Sequence, residues 1–288
     1  MIKLVTILFL LIALSVFSQN VDGVYFNSSK AKPASLKDSS KVNSFTGEEE
    51  PRFSIGASFG AGIPLQNFSK SNGYYLSPYL LSGNNTSGNN YTADGSAKTG
   101  YSFNINAGYH FARRIGILLQ LDGNINGVNT SASQSQAQSN GTNGSLSNYY
   151  IYSYLAGLSF SLFSAKKFNI GVHGLCGLMN VYYSEFKFSF PFSSNTPYLM
   201  TVDEKINPAI TFGYDFGLNA SYKISKRIKL NLSVDYLGGN PVFHSATSSS
   251  TVLGQSVGNF TDNNNYSMPT GLINANIGAT FFFGKVKG

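Results

Sequence analysis

The chain has 288 residues, of which 42% are hydrophobic, 14% aromatic and only 11% charged, with a formal net charge of +7. Soluble domains carry about 25% charged residues, so the chain is poor in charge, yet a mean hydropathy of −0.06 is not that of a helical membrane protein. One cysteine excludes an intramolecular disulfide framework and any multi-cysteine metal site, and 18 Tyr with 23 Phe exclude a disordered chain.

In chain order, Lys3 precedes an apolar run from Leu4 to Phe17 interrupted only by Thr6 and Ser15, and Ser18 stands before Gln19. The run suits a signal-peptide core and is short of the roughly 20 residues of a spanning helix, so residues 1–18 read as a signal peptide. Residues 19–52 place Lys30, Lys32, Lys37 and Lys41 among Ser, Pro and Asp and end in Glu48-Glu49-Glu50-Pro51. They have no apolar period and read as a flexible periplasmic tail.

From Phe53 the period becomes two. Phe53, Ile55, Ala57, Phe59, Ala61 and Ile63 share one face, and Ser54, Gly56, Ser58, Gly60 and Gly62 the other. Alternate side chains of a strand point to opposite faces, so this is a strand with one apolar and one small, polar face. The alternation recurs over 101–111, 115–125, 150–162, 168–178, 210–222, 228–236 and 273–283, least cleanly at 150–162, where Ile151 and Leu155 fall on the polar face. About eight strands result. Their connections alternate in length: short at Arg113-Arg114, 164–167 and 225–227, long over 67–99, 127–147, 184–208 and 238–269. The long ones are rich in Asn, Ser and Gly and read as generic mobile loops.

Charge separates two closed structures. A soluble barrel turns its apolar face inward and a charged face outward; a transmembrane barrel does the opposite. Here the apolar face is free of charge, while Asp122, Asp215, Asp235, Lys223 and Lys229 lie on the polar face, too few to solvate an exterior. The expectation is an all-β fold, an eight-stranded antiparallel up-and-down transmembrane β-barrel over 53–288, with short turns and both mature termini in the periplasm and long loops outside.

With this alternation and loop rhythm, and with Thr280-Phe281-Phe282-Phe283 near the C-terminus, the chain resembles the small outer-membrane β-barrel proteins: OmpX-like, OmpA-transmembrane-domain-like and PorT-like barrels. The resemblance covers 53–288. It implies an integral protein of the outer membrane of a Gram-negative bacterium, and it implies no particular activity.

The short turns are basic: Arg113 and Arg114, Lys166 and Lys167, Lys226 and Arg227. They are expected to anchor the periplasmic rim at anionic headgroups. No basic stripe with interleaved aromatics marks a nucleic-acid surface. On the inward face Asp122, His173, Asp215 and Asp235, together with Lys223 and Lys229, are expected to form a buried polar network, since side chains fill an eight-stranded barrel. No metal spacing, phosphate loop or nucleophile elbow is present, and no catalytic residue, metal or cofactor is expected. Cys176 falls on the lipid face.

One segment exceeds a plain barrel. The even phase of the fifth strand runs on through Phe186, Phe188, Phe190 and Phe192, and after a turn it resumes with Tyr198, Met200 and Val202. A paired strand from 168 to 192 would rise far above a membrane band about 25 Å tall, so a hairpin over 184–208 is expected to protrude. Its aromatic face is offered to lipopolysaccharide, an envelope protein or neighbouring loops, and its edge to a strand from another chain. The function that follows is non-enzymatic: a structural or surface-interaction barrel. A narrow pore or carrier for small neutral or apolar solutes stands second, and a lipid-modifying enzyme third.

Overall fold

The computed structural model describes residues 52–70, 90–92, 94–112, 114–129, 143–191, 199–244, 246–262 and 265–283. The signal-peptide and tail assignments lie outside the described residues. The elements are β1 (Phe53–Leu65), the one-turn helix α1 (Gln66–Ser69), β2 (Asn90–Thr92), β3 (Gly100–Ala112), β4 (Ile115–Asn126), β5 (Asn143–Leu146), β6 (Tyr149–Ser164), β7 (Phe168–Tyr182) and β8 (Phe186–Pro191). They continue with β9 (Leu199–Ile206), β10 (Ala209–Lys223), β11 (Ile228–Gly239), β12 (Val242–Phe243), β13 (Ala246–Val252), β14 (Gln255–Asp262), β15 (Asn265–Ser267) and β16 (Thr270–Phe283).

Eight of these strands close a barrel in the order β1-β16-β11-β10-β7-β6-β4-β3, every pair antiparallel. They are the eight alternating segments of the sequence. First and last strands meet residue for residue, from Phe53↔Phe283 to Leu65↔Gly271, so no edge is left open. Outward positions of β1 run from Phe53 to Ile63. Ten residues at about 3.3 Å, tilted by about 40°, give a band roughly 25 Å high.

The long connections are not plain loops. They contribute a three-stranded sheet, β12-β15-β2, and a five-stranded sheet, β14-β13-β9-β8-β5. Both lie in the long connections, and all of those leave the same end of the barrel. The expected single ribbon from 168 to 192 is corrected: β7 ends at Tyr182, and β8 begins in a different sheet. At the break, Ser184 Oγ donates to the Ser147 carbonyl at 2.6 Å and Glu185 N–H to Ser147 Oγ at 2.7 Å. Tyr183 there is buried. These bonds take the chain out of the barrel ladder, although its alternation continues in phase.

The expected hairpin exists as β8 and β9, paired from Phe186↔Glu204 to Pro191↔Leu199. Its edges are taken by the same chain. β5 lies along β8, and β13 along β9, so no hairpin edge is open over those stretches. The reading of 127–147 and 238–269 as generic loops is therefore corrected for β5, β13 and β14.

Candidate functional site

The barrel's exterior carries no charged side chain over the described strands and is apolar apart from Asn180, which donates to the Tyr182 hydroxyl near the long connections. All five Asp and Lys residues of its strands, Asp122, Asp215, Asp235, Lys223 and Lys229, sit at inward positions. Outward positions carry large exposed side chains such as Tyr101 (76% exposed), Phe59 (70%) and Phe216 (61%). Rings line both rims: Phe53 meets Phe283 at 6.0 Å near the short turns, and Tyr152 meets Tyr182 edge-to-face at 6.0 Å near the long connections. Cys176 is exposed on this outer surface. Arg114, Lys166, Lys167, Lys226 and Arg227 are exposed at the short-turn end; Arg113 lies outside the described residues.

Inside, the barrel is layered. At the short-turn end Lys223 and Lys229 face each other across β10 and β11, and Lys229 Nζ lies 4.6 Å from the centre of the Phe282 ring. The middle layer is amide and carboxylate. Asn104 donates to Asp122 Oδ1 at 2.9 Å, Gln120 to both Asp122 oxygens at 3.1 Å, and Asn106 to Asn104 at 2.8 Å. Ser102 donates to Asn276 over Gly60 of β1, the strand between them.

On the other side of that layer three strands bring His173, Asp215 and Asp235 together. His173 Nε2 lies 2.9 Å from Asp215 Oδ1 and 3.5 Å from Asp235 Oδ1. Ser233 donates to Asp235 Oδ2 at 2.8 Å. His173 Nδ1, Asp215 Oδ2 and Asp235 Oδ1 are buried without a hydrogen-bond partner. Register explains the meeting. Gly217 pairs with His173 on one side and Asp235 on the other, so two long side chains close over a residue that has none. The lysines expected in this network are elsewhere in the lumen: Lys229 is six residues below Asp235, about 20 Å along the strand. The carboxylates take His173, the Asn104 and Gln120 amides and the Ser233 hydroxyl as partners instead.

Above the polar layer the lumen is apolar. Ile151, Leu155, Leu175, Met179, Val181, Leu237 and Leu272 point inward and are buried. Over them sits a cap drawn from the long connections, in which Phe68, Tyr149, Tyr183 and Phe243 form a chain of edge-to-face rings 5.0 to 5.4 Å apart. The Tyr149 hydroxyl donates to the Gly95 carbonyl at 2.6 Å, and Asn126 donates to the Gly62 and Lys98 carbonyls at 2.9 Å. Reading polarity by parity alone misses this plug. Ile151 and Leu155 on the polar face of their strand are its signal in the sequence.

The five-stranded sheet has one covered face. Val202, Glu204, Ser248 and Ser250 are buried, while Thr247, Ser249, Asn259 and Thr261 on the opposite face are exposed. Lys187 Nζ and Asp203 Oδ2 pair at 3.3 Å on the exposed face. Phe186, Phe188 and Phe190 take the register positions opposite Glu204, Val202 and Met200, but their side chains lie outside what is described, as do Phe192 and Tyr198 entirely. The β13–β14 turn is Leu253-Gly254, both at positive φ, with Leu253 exposed at its tip.

No family model matches the chain, and no curated protein does. Among solved structures it is similar to the Ail attachment invasion locus protein of Yersinia pestis, 15% identical over 81% of this chain and 98% of that one, with a TM-score of 0.37. It is also similar to Neisserial surface protein A, 13% identical over 80% and 97%, TM-score 0.37. A third is a major outer membrane protein of Thermus thermophilus, 10% identical over 80% and 99%, TM-score 0.40.

Proposed function

We propose that the chain is an integral outer-membrane β-barrel of a Gram-negative bacterium, without enzymatic activity, whose long connections form a folded canopy for structural or surface contacts. One observation carries the reading: a closed barrel presents a charge-free apolar band, ringed with aromatics at both rims, and keeps the Asp and Lys side chains of its own strands inside. In water such a band would drive aggregation. In a bilayer it is the required exterior. The basic short turns would then meet periplasmic-leaflet headgroups, with the termini on that side and the canopy outside. The exposed face of the five-stranded sheet, rich in Ser, Thr and Asn, suits hydrogen bonding to lipopolysaccharide sugars or to an envelope protein rather than to nucleic acid.

The filled lumen weighs against the pore reading, and buried lumen groups weigh against a lipid-modifying enzyme, whose substrate has to reach the site. Fractionation and gel mobility test the proposal. The protein is expected in outer-membrane fractions and to run as a compact band in detergent unless heated. Recovery from the soluble periplasm would overturn it.

A further inference from the structure

We propose that the lumen holds one divalent transition-metal cation of the zinc class, bound by His173, Asp215 and Asp235. The three come from different strands of the closed barrel, β7, β10 and β11, and one donor atom from each lies within 4.8 Å of the others. The imidazole nitrogen is 2.9 and 3.5 Å from the two carboxylate oxygens. Four-coordinate zinc, with bonds of about 2.0–2.1 Å, sets its donors about 3.3 Å apart, and the two nitrogen–oxygen separations bracket that edge. All three residues are buried: His173 is 7% exposed, Asp235 3% and Asp215 0%.

Hydrogen bonding alone does not satisfy the cluster. Nε2 carries at most one proton and can donate well to one carboxylate. Asp235 Oδ1, aimed at the same nitrogen, has no hydrogen-bond donor. Charge points the same way. Two carboxylates share one imidazole, and the lysines on inward strand positions lie about 20 Å or more away along their strands. Unbalanced buried charge is costly, and a bound cation is one of the ways proteins offset it. Asp122 is already held by Asn104 and Gln120 and is not needed as a ligand.

The backbone provides the room. A Cβ on Gly217 would lie 2.1 Å from Asp235 Oδ1 and 2.5 Å from His173 Nε2, so both donors converge on the space that a side chain there would fill. One imidazole and two carboxylates are a borderline-to-hard donor set suited to zinc, cobalt or manganese. Three protein ligands leave a coordination position for solvent.

The test uses the full chain without a histidine tag, refolded in detergent, stripped with a chelator and dialysed against Zn²⁺ or Co²⁺. One ion per barrel is expected, with imidazole in its coordination shell by X-ray absorption and with a raised thermal transition of the compact form. Asp235→Asn and His173→Gln are expected to weaken binding at least about tenfold. His244→Gln, whose ring is exposed and bonded to Asn265, is expected to bind as the parent does. Substoichiometric binding by the parent, a shell without imidazole, or parent-like affinity in both ligand variants would overturn the proposal. Because the parent's stoichiometry and shell are read directly, the test holds even where a ligand variant does not refold.

Discussion

At the scale of single residues, two positions turn the barrel's geometry into measurable energies. Gly217 is the first. Its missing side chain lets His173 and Asp235 close over the ladder, and a methyl group would land 2.1 Å from a carboxylate oxygen and 2.3 Å from a ring carbon. Gly217→Ala is therefore expected to destabilise the folded barrel by about 1–3 kcal/mol, the range for overpacking, read as a lower urea midpoint in phospholipid vesicles. Gly258→Ala, where nothing lies within 4 Å, is expected to leave the midpoint unchanged. Equal shifts for the two would mean that lumen packing at Gly217 is not the cause. The second position is Leu119, exposed on the outer face near the middle of β4. An arginine at the bilayer midplane costs about 2–4 kcal/mol on a barrel exterior, so Leu119→Arg is expected to lose that much stability in lipid. A soluble barrel would accept the same change with little effect.

At the scale of elements, the canopy's main sheet is assembled from three separate connections. The β8–β9 hairpin sits at its centre, with β5 on one edge and β13 and β14 on the other. Replacing 186–198 by a short Gly-Ser link is expected to leave the barrel compact on unheated gels. It should also make 143–146 sensitive to protease, because that strand loses its ladder partner β8, while 246–262 keeps its pairing with β9 and stays protected. Protection of 143–146 in the deletion would show that it is held from elsewhere. The same elements mark how far the sequence was legible. All eight barrel strands were readable because each alternates for about ten residues between lipid-facing and inward positions. β5 and β13, as Asn-Gly-Ser-Leu and Ala-Thr-Ser-Ser-Ser-Thr-Val, have loop composition and become strands only through distant partners. The phase carried from Tyr182 to Phe186 misled for a physical reason: parity does not record a change of sheet, and the bonds from Ser147 to Ser184 and Glu185 that cause it span nearly forty residues. The inward Asp and His residues were legible by parity. Their meeting was not, because it depends on cross-strand register and on the empty side of Gly217.

At the scale of the whole molecule, the low charge and near-zero mean hydropathy reflect a radial ordering: apolar outside, polar at the centre of the lumen, apolar again beneath the canopy. The ordering bears on transport. A solute crossing the barrel would have to pass the fully buried side chains of Tyr149 and Phe68 in the cap and of Met179 and Leu237 beneath it, and then a layer of amides and carboxylates. Close-packed interiors leave few voids larger than a water molecule, and the cap rings are locked edge-to-face and by the Tyr149 hydroxyl bond. Reconstituted into planar bilayers, the intact barrel is therefore expected to give no steady single-channel current, and vesicles containing it are expected not to swell in small neutral solutes. Loosening the cap with Tyr149→Ala and Phe243→Ala is expected to lower stability by several kcal/mol, roughly the cost of large-to-small core changes. It should still give no stable conductance, because the polar layer beneath remains closed. A well-defined open level in the intact protein would instead require the cap and the polar layer to move together, and would make the canopy a gate.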